Sequence, residues 1–260
     1  MSEIHQNRRF MHCPSFKGVM AESDQSKGIK NPPFSNTITG ELITLPPFDN
    51  ALKHSDYAHL LDIRRSVRSY ATTPMTQAEL AFLLYSAQGI QAFRAGGVAT
   101  LRPAPSGGAR HPFETYIAVN SVEGLAPGLY RYAPLENVLE EKGKKRAAIE
   151  RLGPFTDYEE RITKMLAGKG WAGKAPIVLF FTCVAYRGEW RYVTASHRVM
   201  LIDLGHVGQN VMLSAAALGL GSCCLAAYDQ EECDKQLNLD GLEEYTVYGI
   251  SVGTPKEEAE

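Results

Sequence analysis

RVMLIDLGHVGQNVMLSAAAL, residues Arg198 to Leu218, decides how this chain must fold. Its composition is helical, and its apolar side chains, among them Met200, Leu201, Ile202, Leu204, Val207 and Val211, lie on nearly every side. A helix of that kind has to be covered on every side. One subunit of 260 residues is short of material to do so. The segment therefore predicts a central helix shared with a second copy of the chain, ended by Gly219 and Gly221.

Outward from that helix the pattern becomes strand. IVLFFTCVA, Ile177 to Ala185, is a continuous β-branched and aromatic run, the composition of a strand buried on both faces inside a sheet. FETYIAVN (Phe113 to Asn120) and GLYRYAP (Gly128 to Pro134) read as two more strands, and the segments through Ala226 and from Tyr245 to Val252 as a further pair. PMTQAELAFLLYSAQG, Pro74 to Gly89, predicts a helix: Thr76 caps it, Glu79 completes a capping box, Met75 staples onto Leu80 and Gly89 stops it. Gln91 to Arg110, rich in Gly, Pro and Ala, has no usable period and predicts a long loop. Helices and strands are interspersed without strict alternation, which favours α+β over a doubly wound sheet. Met1 to Leu52 has no sustained period and includes Asn31-Pro32-Pro33 and Pro46-Pro47. The expected division is an extended arm over residues 1–52 and one domain over residues 53–260.

A hydrophobic content of 44%, a charged content of 22% and a net charge of -2 are those of an ordinary globular chain with no field to attract a polyanion, so nucleic acid is excluded as the main partner. The longest apolar run, Ala175 to Ala185, is too short to cross a bilayer. Cys13, Cys183, Cys223, Cys224 and Cys233 are odd in number and form no C-x-x-C pair. With no signal peptide, they predict reduced thiols in a cytoplasmic protein, Cys223 and Cys224 filling core.

Three features carry chemistry. Arg64-Arg65-Ser66-Val67-Arg68 gathers three guanidinium groups and a hydroxyl within five positions, the donors a phosphate dianion asks for, although a solvated basic turn has the same composition. Pro105-Ser106-Gly107-Gly108-Ala109-Arg110-His111-Pro112 offers glycine backbone that a flat heterocycle or a phosphate can approach; the plain alternative is a tight turn with Arg110 and His111 exposed. Asp203, His206 and Asn210 share one face of the long helix, with Gln209 beside them. They lack a zinc ligand set, so a satisfied buried network is expected and no metal. No G-x-G-x-x-G lies between a strand and a helix, and no G-x-S-x-G, H-E-x-x-H or Walker A sequence is present.

Taken in order, these pieces resemble the nitroreductase family of FMN-dependent oxidoreductases, most closely its SagB-type branch, which includes the azoline oxidases of peptide natural-product maturation. The resemblance rests on RRSVRSY (Arg64 to Tyr70), PSGGARHPFETYIAV (Pro105 to Val119), GLYRY (Gly128 to Tyr132), LGHVGQN (Leu204 to Asn210) and ALGLGSCCLAAYD (Ala217 to Asp229). It implies an α+β fold with a central, mostly antiparallel sheet flanked by helices, in a domain-intertwined homodimer that binds FMN at the subunit interface. Arg64, Arg65, Ser66 and Arg68 are then implied to hold the FMN phosphate and ribityl chain. Pro105, Ser106, Gly107 and the adjoining Gly108 are implied to reach the flavin ring from the opposite subunit, and the backbone at Cys224, Leu225 and Ala226 to lie behind it and donate to N5. Lys256 stands nearest to the basic residue that many members place on the phosphate.

Two departures bear on activity. Many members carry P-[IL]-E-G where this chain has Cys224-Leu225-Ala226-Ala227, which keeps the backbone contact and loses the acid. Azoline oxidases carry a Lys-Tyr pair upstream of the L-G-H segment, and here Arg191-Tyr192 takes its place. A guanidinium is a poor proton acceptor. The expected reaction is therefore ping-pong transfer from NAD(P)H to a small acceptor such as a quinone or nitroaromatic, with Tyr192 as the acid and Arg191 serving an anionic group. Azoline (thiazoline or oxazoline) dehydrogenation and a non-catalytic flavin-binding module are the alternatives.

Overall fold

The computed structural model of the chain describes residues 3–12, 16–137 and 146–256. In chain order its strands are β1 (Glu41–Thr44), β2 (Ala92–Arg94), β3 (Ala99–Leu101), β4 (Phe113–Val119), β5 (Gly128–Tyr132), β6 (Ala148–Gly153), β7 (Ile177–Val184), β8 (Gly221–Leu225) and β9 (Glu244–Gly253). The α-helices are α1 (Glu3–Asn7), α2 (Phe16–Ala21), α3 (Tyr57–Ile63), α4 (Gln77–Gln88), α5 (Tyr158–Met165), α6 (Ala185–Tyr192), α7 (Ser196–Ala217) and α8 (Gln230–Leu237). No helix among the described residues is long and apolar enough to cross a membrane.

Seven strands form one sheet in the order β1-β6-β5-β4-β7-β9-β8, with every pairing antiparallel. The β-branched and aromatic run of β7 sits inside it, from Phe113 opposite Cys183 to Val119 opposite Ile177 on one side, and with Ile177 opposite Val252 on the other. Successive side chains of a strand point to opposite faces. Ile177, Leu179 and Phe181 accordingly join the core made with α4 and α7, while Val178 and Phe180 join a second core made with α5 and α8. The fold is thus α+β, helices covering both faces of an antiparallel sheet.

Helix α4 follows its local signals. Thr76 Oγ1 accepts from Glu79 N and the Glu79 carboxylate accepts from Thr76 N, so the capping box is closed. Gly89 ends the helix at φ -57, where the need for glycine is steric: a Cβ would stand 2.3 Å from Tyr85 Cδ2.

One expectation is corrected. Gln91 to Arg110 is not all loop, because β2 and β3 pair as a separate ribbon, Phe93 opposite Thr100, and Gly107–Ala109 makes a 3₁₀ turn. As expected of a helix this apolar, α7 is not covered on every side within one subunit. Its inner face, including Leu204, Val207 and Val211, is buried, but Leu201 and Ile202 are each 50% exposed beside the open Gly205 and His206. The free thiols include Cys183, Cys223, Cys224 and Cys233, of which all but the half-buried Cys224 are buried; Cys13 lies outside the described residues.

The first 52 residues do more than lie over the domain. β1 pairs with β6 at the sheet edge. The stretch before it supplies backbone donors to buried acids: Asn36 N donates to Glu114 at 2.7 Å, and Thr39 N and Gly40 N both donate to Glu150 Oε1 at 2.6 Å. Those acids also hold cations, Glu114 pairing with Arg187 and Glu150 with Arg131. Bonds of this kind to a buried carboxylate offset the cost of removing its charge from water.

Candidate functional site

The basic segment begins where α3 stops. Arg64 closes that helix, its N–H donating to Leu60 O, and the chain then runs extended beside the start of β8, with Val67 N donating to Ser222 O at 3.0 Å. The Tyr70 hydroxyl donates to Val67 O at 2.9 Å and lies 2.8 Å from Ser251 Oγ, while Lys256 N donates to Ser69 O. The approach is close enough that a Cβ at Gly221 would meet Val67 Cγ2 at 2.6 Å. Glycine is required there for contact.

Held this way, the segment presents Arg64, Arg65 and Arg68 within five positions. Arg65 donates to Arg64 O, Arg68 donates to Ser66 O with its Cζ 6.0 Å from the Trp171 ring centre, and none of Arg64, Arg65 and Arg68 forms an ion pair among the described residues. A cavity of about 170 Å³ opens beside the first two, walled by Arg64, Arg65, Met212, Gly219, Ser222 and Pro255. The donor set and the space suit a terminal phosphate. β8 is the last strand of the sheet, so its outer backbone edge is open beyond Ser222, and the chain leaves it at the exposed Ala226.

A second cluster forms around the glycine loop. Ser106 Oγ donates to Asp203 Oδ2 at 2.7 Å and accepts from His111 N at 2.9 Å, and Gly107 N donates to the same carboxylate at 3.0 Å. Burial raises the Asp203 pKa while the bonds from Ser106 and Gly107 pull against it. A Cβ at Gly107 would stand 2.4 Å from Val199 Cγ1. One at Gly108, which has φ +58, would lie 2.5 Å from Arg191 Nε and 2.8 Å from Tyr192 Oη. The loop thus rests directly on Arg191 and Tyr192, the side chains singled out for catalysis.

Three non-glycine residues with positive φ gather here: Ala109, His111 and, immediately after Tyr192, the β-branched Val193 at φ 45. Such conformations cost of order 1–3 kcal/mol each and persist where surrounding contacts over-determine them. Arg110 and His111 are 6% and 5% exposed, which corrects the open-turn alternative. Burial, with Arg102 nearby, pushes the His111 pKa down to about 3.

The two clusters touch opposite parts of α7. Asp203 meets the glycine loop and Met212 and Ala216 wall the basic cavity, a separation of nine to thirteen residues, or roughly 14–20 Å along the axis. The expected polar network on this helix is divided likewise. Asp203 is buried and bonded, Asn210 donates to Ser86 O at 3.2 Å, and His206 is exposed, so the three do not form one network.

The nitroreductase family domain matches residues 61–254, three quarters of the chain, including Arg64 to Arg68, Ser106 to His111, Arg191, Tyr192 and Asp203. The chain belongs to the nitroreductase family. Its relatives include MJ1384 of Methanocaldococcus jannaschii, assigned as a nitroreductase, which is 30% identical over 190 residues, 73% of this chain and 86% of that protein. The microcin B17-processing protein McbC of Escherichia coli is 27% identical over 145 residues, 54% of this chain and 49% of McbC. Among solved structures, a chain of the Escherichia coli microcin synthetase McbBCD complex with truncated pro-MccB17 bound superimposes with a TM-score of 0.62 at 19% identity, covering 98% of this chain and 92% of its own. That likeness establishes the fold.

Within this nitroreductase-family chain, Arg64, Arg65, Ser66, Arg68 and the backbone of Lys256 come together at one cluster, and Ser106, Gly107, Gly108, Arg191 and Tyr192 at the other. Cys224 lies between, its Sγ 3.0 Å from Met212 Sδ. Sequence reading gave Arg110 no role of its own and missed Gln25 and Phe16. Arg110 is buried against Trp190, Gln25 accepts from Arg191, and the Phe16 ring meets the Tyr192 ring edge-on at 6.0 Å. All three contacts come from tertiary packing and leave no local pattern.

Proposed function

We propose that the protein is an FMN-dependent oxidoreductase that works as a homodimer, taking hydride from NAD(P)H and passing electrons to a quinone or nitroaromatic acceptor. The observation that carries this reading is the run of three arginines with no ion pair among the described residues, two of them walling a cavity beside the free edge of β8. Arg64, Arg65, Ser66 and Arg68 would hold the phosphate, with Lys256 alongside. The backbone at Leu225 and Ala226 would face the ring, and Cys224 would pack behind it. Bound there, FMN would supply reversible hydride acceptance.

The glycine loop touches α7 about two and a half to three and a half turns from the basic cavity, so Pro105 to Gly108 of one subunit would complete the site of the other. The exposed Leu201 and Ile202 give α7 an apolar face for that contact. Tyr192 would hold the proton delivered to a reduced acceptor, and Arg191 would orient an anionic group. Mass spectrometry of the ligand released by heat tests the cofactor, with FMN expected and FAD contradicting it. Bleaching of the flavin band by NADPH or NADH, then recovery with a quinone, tests the turnover.

A second reading, azoline dehydrogenation in peptide maturation, draws on the similarity to McbC. Against it stands Arg191, which cannot take the ring proton as an amine would. Loss of two mass units from an azoline-containing peptide, dependent on this protein and FMN, would decide for it.

A further inference from the structure

Arg110 and Arg191 lie on two sides of Gly108. Arg110 Nε donates to Gly108 O at 3.0 Å, and Arg191 lies so near that a Cβ on that glycine would strike it. Arg110 is buried, its Cζ 4.9 Å from the Trp190 ring centre and its Nη2 donating to Val98 O at 2.7 Å. Arg191 Nη1 donates to the neutral amide of Gln25, while its Nε is buried and has no hydrogen-bond partner.

Neither guanidinium forms an ion pair among the described residues, and the neighbouring acids are engaged elsewhere. Asp24 accepts from Tyr186 and Lys27, Glu189 pairs with His197, and Asp203 is held by Ser106 and Gly107. Two like charges, one buried and one half-buried, with no acid paired to either among the described residues are costly. A lysine relieves such a position by losing its proton, which a guanidinium does not do. What the arrangement lacks is an oxyanion, and forked N–H groups with a nearby phenol are the donors that bind one.

We propose that Arg110 and Arg191, with the Tyr192 hydroxyl, form an oxyanion subsite that takes a carboxylate or phosphate of the reacting molecule. The subsite is bounded on its outer side by Phe16 and Gln25, which gives the amino-terminal arm a part in choosing what enters. It rests on the oxidoreductase reading only in that the bound molecule reacts.

Binding is tested without turnover. Trp171→Phe leaves Trp190 as the single tryptophan of a chain that has two. In that background, benzoate should change the fluorescence saturably and benzamide should not, and Arg191→Gln should weaken the benzoate response at least tenfold while Arg191→Lys keeps most of it. A response shared by benzamide, or unaltered in Arg191→Gln, would overturn the proposal. Turnover then separates the two sources of the anion. If it is an acceptor carboxylate, Arg191→Gln lowers kcat/KM for 4-nitrobenzoate tenfold or more relative to 4-nitrobenzamide; if it is the dinucleotide's phosphate, the same change lowers NADPH relative to NADH. Equal losses with all four compounds would overturn it. A protein that binds benzoate as described and never bleaches with NAD(P)H would sink the redox reading and leave the subsite standing.

Discussion

Asp203 Oδ2 accepts the Ser106 hydroxyl hydrogen at 2.7 Å, and that bond ties the glycine loop to the long helix α7. Ser106 Oγ also accepts from His111 N, so one hydroxyl fixes both ends of the turn. Ser106→Ala removes a partner from a buried carboxylate, a change that costs about 1–3 kcal/mol. Urea denaturation at pH 7 should show that loss. Unaltered stability would mean that the loop is held by Gly107 alone.

The Arg187 guanidinium donates to Glu114 at 2.6 Å, with 3% and 2% of the side chains exposed. This joins α6 to β4 one helical turn before Arg191. Breaking a buried pair by removing one partner leaves a charge without compensation, at about 3–5 kcal/mol. Glu114→Gln should therefore destabilise far more than the double change Glu114→Gln with Arg187→Met. A double mutant no more stable than the single one would contradict this.

His111 gives a pH dependence. In the folded chain burial lowers its pKa to about 3, whereas a free histidine takes its proton near 6.5. Below about pH 6.5 the unfolded state therefore binds the extra proton, and stability falls with pH by up to about 1.4 kcal/mol per unit until the folded value is reached. His111→Asn, whose side chain tolerates the local φ of 43, should flatten the fall of the thermal midpoint between pH 7 and pH 5. Parallel curves for the two proteins would remove His111 from the account.

Arg68→Ala should weaken FMN binding by roughly 1.5–3 kcal/mol, the range of a hydrogen bond to a charged group. A flavin-fluorescence titration reads this directly. Equal affinity would place the phosphate elsewhere.

Leu201→Glu puts a charge on the half-exposed apolar face of α7. If that face joins two subunits, light scattering should report a monomer at micromolar concentration and the flavin should be lost with it. A dimer that persists with flavin bound would move the interface to another surface.

What could be read from sequence was what short-range chemistry determines. The capping box of Thr76 and Glu79, the two-sided burial of Ile177 to Cys183 and the extent of α7 depend on residues a few positions apart, and all are present. β6 escaped because its sequence, AIERLG, carries Glu150 and Arg151 in mid-strand. Glu150 is tolerated at full burial only because Arg131, Thr39 and Gly40 reach it from elsewhere in the chain. The ribbon of β2 and β3 has three residues per strand, too few for a period to emerge. At the candidate site the separate motifs were visible, but the contact of Gly108 with Arg191 joins parts of the chain more than eighty positions apart, and no spacing encodes it.

The bonds from the amino-terminal arm to Glu150 also set an order in time. Thr39 and its acceptor are 111 residues apart, so at a synthesis rate of about 5–20 residues per second the arm leaves the ribosome roughly 5–20 s before its partner exists. β1 waits with it, since β6 is its only neighbour in the sheet among the described residues. During that interval β1 is an unsatisfied edge open to other chains. Arg191 and Tyr192 are made later still than β6, so Gln25 and Phe16 of the arm wait longer for their partners than Thr39 does for Glu150.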